Sequence, residues 1–112
     1  MAKYLSTQSS EIDSIFHALS DPTRRDILER LSESDLTVSD IAKPYDFSLP
    51  TISKHVTVLE NASLVRRHKF GRQFRVTIDP LALKKVAEYI TFYKKFWTKQ
   101  IGNIEIFLAK KQ

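Results

Sequence analysis

The residues able to do chemistry gather in one stretch. SLPTISKHVTVLENASLV (Ser48–Val65) carries short hydroxyls, one lysine and one histidine, and runs directly into RRHKFGRQFRV (Arg66–Val76). This chemistry suits recognition of a polyanion. Short donors and acceptors can meet base edges in a major groove, and cations can meet phosphate oxygens. The candidate contacts are Ser48, Pro50, Thr51, Ser53, Lys54, His55 and Thr57, then Arg67, Lys69, Arg72 and Arg75. Any solvated helix also shows a polar face, so the charge distribution has to separate the two readings.

From Lys54 to Arg75 the chain holds six basic residues, Lys54, Arg66, Arg67, Lys69, Arg72 and Arg75, against Glu60 alone. That local excess equals the net +5 of the whole 112-residue chain, so the other residues are neutral as a group. Solubility does not need such concentration, whereas a phosphate-tracking surface does. Binding through it would release counterions and weaken steeply with salt.

The elements that position these groups follow from pattern. Ser48 is a good N-cap, and Pro50 falls in the first turn, where its missing N–H costs nothing. At 3.6 residues per turn, Val56 and Leu59 lie within about a tenth of a turn of Ile52. Those three form a core stripe and turn Pro50, Thr51, Ser53, Lys54, Thr57 and Asn61 away from it. Leu64–Lys69 and Gln73–Ile78 then flank Phe70-Gly71-Arg72, where Gly71 can supply the positive φ of a tight hairpin. Phe74, Val76 and Ile78 alternate as a half-buried strand should, with Arg75 and Thr77 on the other face. Arginines can also protect an edge strand from aggregation. Beside a helix of this kind, phosphate or minor-groove contact is the stronger reading.

DPTRRDILERL (Asp21–Leu31), LTVSDIAKPYDFSLPTISKHVTVLE (Leu36–Glu60), Leu64-Val65 and the Gly71-Arg72 turn together resemble the ArsR/SmtB family of bacterial winged-helix repressors. The match covers Ile12 to Ile78, with a looser fit through the last helix, and several ordered motifs at the right spacings make it specific. It is most similar to the branch with a Pro after the third helix and an S-x-P-x-[IV]-S-K-H recognition helix. The resemblance implies a mainly α fold with a two-stranded β wing, a winged helix-turn-helix carrying a long C-terminal dimerisation helix. Ser63 stands where the family usually has Gly, which implies a corner built slightly differently.

Length and composition agree. The chain makes one DNA-binding unit over residues 11–79, preceded by a polar, frayed tail at 1–10 and followed by the dimerisation helix at 80–112. Apolar residues make up 42%, enough for a modest core. There is no run of 18 apolar residues and no charged-then-apolar export signal, so the expected location is the cytoplasm, with no membrane partner. With no cysteine, disulfides and thiol chemistry are excluded.

Ile12, Ile15, Phe16 and Leu19 mark one face of a first helix. Asp21 caps a second, with Pro22 at its first position and Ile27, Leu28 and Leu31 inward. Arg24 and Arg25 could reach DNA backbone or pair with Asp21 or Glu29. Thr37 caps a short third helix with Asp40 three residues on, and Val38, Ile41 and Ala42 face inward. Tyr45 and Phe47 read as corner-fillers for the core.

As a helix, Leu81–Lys110 would span about 45 Å. Val86, Ile90, Tyr93, Trp97, Ile101, Ile104 and Leu108 form one stripe, and Tyr89, Phe92, Phe96 and Phe107 form another. Two stripes suggest contact with the chain's own domain and with a second copy. The expected seam takes Ile12 and Phe16 from the first helix with Tyr89, Tyr93, Phe96, Trp97, Ile101, Ile104 and Leu108. The alternative is a helix folded back on its own core and broken near Gly102-Asn103.

A metal sensor is not expected. The third-helix Cys-x-Cys of arsenic and cadmium sensors falls here on Thr37 and Ser39, whose hydroxyls are poor ligands for such metals. The family's other site takes Asp and His from the last helix, yet no His follows His68, and Asp79 alone cannot hold zinc. His17, His55 and His68 have no ligand spacing. Catalysis is equally unsupported: two glycines allow no phosphate-cradling loop, and Ser53 and His55 point about 200° apart on a helix. No cofactor is expected. With the resemblance, which alone implies repression, the expected function is that of a non-enzymatic, metal-independent repressor, a homodimer on a palindromic double-stranded DNA operator. The alternatives are a repressor released by an organic effector in an aromatic pocket lined by Phe16, Tyr89, Phe92 and Trp97, a protein-docking winged helix, and a structure-selective RNA or duplex binder.

Overall fold

The computed structural model describes the backbone from Ala2 to Lys111 and the side chains from Ser10 to Lys110. The chain divides into two units, Met1–Ala82 and Leu83–Gln112.

In the first unit, helix α1 spans Ala2–Leu19. The sequence has no Pro or Gly before Pro22, so no breaker opposes helix through residues read as a tail. Met1 lies outside the described residues. Ile15 and Ala18 are buried, while Phe16 is 41% exposed and Ile12 and Leu19 are half-buried. The buried line is thus narrower than the expected face, and a small residue, Ala18, takes part of it.

Helix α2, Pro22–Glu33, begins where the Asp21 side chain accepts the Thr23 N–H at 3.2 Å. Ile27, Leu28 and Leu31 face inward as expected. Strand β1, Leu36–Thr37, leads into helix α3, Val38–Ala42, where the Thr37 hydroxyl accepts the Asp40 N–H at 3.1 Å. Lys43, 3.1 Å from the Asp40 carboxylate, and the Thr37 hydroxyl hold that carboxyl below the usual range. In the turn that follows, Tyr45 is half-buried and donates its hydroxyl to Asp26. Burial first, and then that bond, push its phenol above the ordinary value. Phe47 does not fill the core as expected. It is exposed and stacks on Tyr45 at 5.8 Å between ring centres.

Helix α4 spans Leu49–Asn61, with the Ser48 hydroxyl accepting the Thr51 N–H at 3.3 Å. Ile52, Val56 and Leu59 are fully buried, and burial of each is worth about 1.5–3 kcal/mol. The helix ends in a Schellman arrangement: Ser63 N–H donates to Glu60 C=O at 2.9 Å and Leu64 N–H to Leu59 C=O at 3.0 Å. Ser63 has φ +60°. The corner is thus left-handed without a glycine, and Leu59 and Leu64, both fully buried, meet across it.

Strands β2, Val65–Phe70, and β3, Gln73–Ile78, pair antiparallel around a two-residue loop in which Gly71 takes φ +64°. The sheet is not two-stranded as expected but three-stranded, in the order β1-β3-β2, with Leu36 opposite Val76 and Thr37 opposite Arg75. Two residues are too few to show alternation, so β1 leaves no strand signature. Of the expected inward trio on β3, Val76 is buried and Ile78 half-buried, but Phe74 is 45% exposed. Phe74 lies beyond the residues that β1 covers.

The second unit falls in helix α5, Pro80–Lys111, whose 32 residues span about 48 Å. Gly102 does not break it. No helix among the described residues is long and apolar enough to cross a membrane.

Ser63→Gly should stabilise the chain. Relief of a left-handed penalty of roughly 1–2 kcal/mol exceeds glycine's entropy cost of about 0.5–1 kcal/mol. A melting temperature raised by a few degrees is expected in a thermal scan; a fall would mean that the serine side chain holds the corner in some other way.

Candidate nucleic-acid interface

The inner stripe of α4 decides what its outer face shows. With Ile52, Val56 and Leu59 sealed in the core, Pro50, Thr51, Lys54, Thr57 and Asn61 are exposed. Ser48 is exposed too, as the cap, and its hydroxyl lies 2.9 Å from that of Thr51. Ser53 and His55 are half-buried on the flanks. Nδ1 of His55 is 3.3 Å from Arg24 Nη1 and 3.8 Å from Asp21 Oδ2. His55 therefore braces α4 against the start of α2.

Arginines near this face are mostly committed to structure. Arg24 donates to Ala18 C=O at 2.7 Å and His17 C=O at 3.1 Å, and Arg25 donates to Leu19 C=O at 2.7 Å. Both satisfy carbonyls at the end of α1 that have no helical partner, where cations are favoured. Arg30 does the same for α3, donating to Asp40 C=O at 2.9 Å and Ile41 C=O at 2.8 Å. Of the options read for Arg24 and Arg25, Arg24 takes the ion pair with Asp21, at 3.8 Å.

Within the basic segment, Arg66 pairs with Asp79 at 3.2 Å. Arg67 lies along α4 and donates to Ser53 and Thr57. Lys54, Lys69, Arg72 and Arg75 are exposed and carry no ion pair among the described residues. Arg75 lies over the Phe70 ring at 5.0 Å, a placement that leaves the cation at the wing surface. Of the candidate contacts on the wing, Lys69, Arg72 and Arg75 thus stand in solvent and Arg67 does not.

The sequence reading missed the space between these elements. A cleft of about 370 Å³ opens between α3, the first turn of α4 and the wing, lined by Thr37, Ser39, Pro50, Ser53, Arg67 and Arg72 among others. Its lining holds hydroxyls, guanidinium groups and apolar side chains, and no imidazole, thiolate or carboxylate that would suit a metal ion. Thr37 is also committed as a cap. No group of three His, Cys, Asp or Glu side chains suited to a metal occurs among the described residues.

Along α5, Ile90, Phe92, Tyr93, Phe96, Trp97, Ile101, Ile104 and Leu108 are exposed, and Tyr89 is half-buried. Ring pairs run along the helix, with Tyr89–Tyr93 at 4.9 Å and Phe96–Trp97 at 5.5 Å between centres. Of the residues read as lining an aromatic effector pocket, Phe92 is 70% exposed, and Phe16, on α1, and Trp97 are exposed as well.

Comparison with known proteins agrees with this geometry. A family described as a helix-turn-helix domain matches residues 19–68. The chain is 36% identical over 73 residues to the transcriptional repressor SdpR of Bacillus subtilis, covering 65% of this chain and 81% of that one. The crystal structure of an ArsR family transcriptional regulator, RHA00566, superposes with a TM-score of 0.75 at 38% identity, covering 80% of this chain and 93% of that one. An ArsR-like regulator from Rhodococcus sp. RHA1 gives a TM-score of 0.71 at 31% identity, covering 93% of each chain.

Proposed function

The chain belongs to the ArsR family of transcription regulators, and from that premise we propose that it represses transcription as a homodimer bound to a palindromic DNA operator. One observation carries the reading. A helix sealed into the core by Ile52, Val56 and Leu59 exposes Thr51, Lys54 and Thr57 beside a wing whose Lys69, Arg72 and Arg75 are exposed and carry no ion pair among the described residues.

In this reading α4 enters a major groove. Thr51, Lys54 and Thr57 meet base edges, with Ser48, Pro50 and Ser53 at the groove wall. Lys69, Arg72 and Arg75 hold phosphates or the adjoining minor groove. His55 acts indirectly, by setting the roll of α4.

The exposed stripe on α5 supports the dimer. Tyr93, Trp97, Ile101, Ile104 and Leu108, with Tyr89 and Phe96 beside them, form a continuous apolar strip, which a monomer would leave in water. A second copy offers the same strip, as twofold pairing requires. Two recognition helices then address half-sites about 34–36 Å, or about 10 base pairs, apart. Repression follows if the bound dimer occludes a promoter. No metal is needed for these contacts, and the hydroxyls of Thr37 and Ser39 are poor ligands for soft metals. The cytoplasm is where such a repressor would meet its operator.

Selection of bound genomic fragments by the purified protein tests this directly and should return duplexes sharing an inverted repeat. With three phosphate-facing cations per protomer, Lys69, Arg72 and Arg75, log Kobs against log salt should have a slope of about −5 for the dimer, and Arg72→Ala should make it shallower by about two. A slope near zero would sink the electrostatic footing. Thr51→Ala and Lys54→Ala should each weaken the selected duplex by about 1–3 kcal/mol with little change on random DNA; equal losses on both would remove them from base reading. Trp97→Ala should shift the protein to monomer in sedimentation and weaken operator binding together. A dimer persisting at micromolar concentration would place the seam elsewhere.

A further inference from the structure

We infer that Arg67 is a positioning residue: it locks β2 to α4 and sharpens the sequence discrimination of the recognition face without touching DNA. The inference rests on the reading of α4 as the groove helix.

Strand parity turns Arg67 inward. Val65 is buried, Arg67 lies two residues on and opposite Val76, and Val76 is buried. The Arg67 side chain is only 17% exposed, against 66% for its neighbour Arg66. Its fork reaches along one line of α4. Nη1 donates to Ser53 Oγ at 3.3 Å, and Nη2 donates to Ser53 C=O at 3.3 Å and to Thr57 Oγ1 at 3.1 Å. Nε is buried and lies 3.8 Å from Glu60 Oε1, a charge partner beyond hydrogen-bond reach. The guanidinium also sits over the Phe74 ring, 5.9 Å from its centre.

Ser53, Thr57 and Glu60 are at i, i+4 and i+7, so one side chain holds two turns of the helix. Thr57 is held from both sides, because its hydroxyl accepts from Arg67 and donates to Ser53 C=O at 3.0 Å. A guanidinium already engaged in this way has little left for a phosphate. Nor is it the best choice for stability, since an apolar residue at a nearly buried ion-pair position is often neutral or stabilising. What Arg supplies, and an apolar residue cannot, is a fixed orientation for the hydroxyls of Ser53 and Thr57 and a fixed wing-to-helix angle.

The test compares wild type with Arg67→Lys and Arg67→Met on the genomically selected duplex and on a random duplex of equal length, across a salt series. Both variants should lose roughly tenfold or more on the selected duplex, keep random-duplex affinity and keep the wild-type salt slope. Their melting temperatures should stay near wild type, while amide exchange in α4 and β2 quickens without DNA. Lysine keeps the charge but not the fork, so it should fail to rescue. A slope made shallower by about one per lost contact in the Met variant alone would make Arg67 a phosphate contact and overturn the inference. Equal losses on both duplexes would reduce it to a general structural residue and overturn it too. If the Met variant does not fold, the Lys variant decides: full retention of preference there sinks this inference alone. Absence of any preferred duplex for wild type sinks the reading of α4 and this inference with it.

Discussion

Everything on the outer face of α4 depends on three side chains being unable to leave the core. Ile52, Val56 and Leu59 have no exposed surface, so α4 cannot roll without returning apolar area to water. That constraint turns Thr51, Lys54 and Thr57 outward. It also reaches past the helix: Leu59 meets Leu64 across the left-handed Ser63, and Leu64 and Val65 carry the buried line into β2. Helix and wing are therefore joined through one continuous buried line.

Charge follows a second rule, that a cation near a helix end tends to be used by that end. Arg24, Arg25 and Arg30 donate to the terminal carbonyls of α1 and α3, stitching neighbouring helices together. Arg66 is paired to Asp79 and Arg67 to α4. The basic count of the Lys54–Arg75 stretch thus overstates the free charge. Four residues, Lys54, Lys69, Arg72 and Arg75, carry the electrostatics that an anionic partner would meet.

Much of this was legible beforehand because it is local. Caps at Asp21, Thr37 and Ser48 need a short acceptor followed by an exposed first turn, and all three side chains accept the expected kind of amide. The stripe on α4 and the Gly71 turn follow from period and φ preference. Strand β1 was invisible because two residues carry no period, and the exposure of Phe74 and Phe47 depends on what lies opposite them. Arg67 could have been placed by parity from Val65, but its charge suggested solvent. Burial depends on the partner strand and on Ser53, Thr57 and Glu60 being within reach.

By itself the sequence determined the helix starts, the inner stripe of α4, the hairpin and the family resemblance, since each rests on contacts between residues a few positions apart. Only the tertiary structure decided which cations of the basic stretch are engaged and that β1 joins the sheet. Those outcomes turn on distances between segments far apart in the chain, such as Asp21 to His55 or Leu36 to Val76. No local period or propensity encodes them.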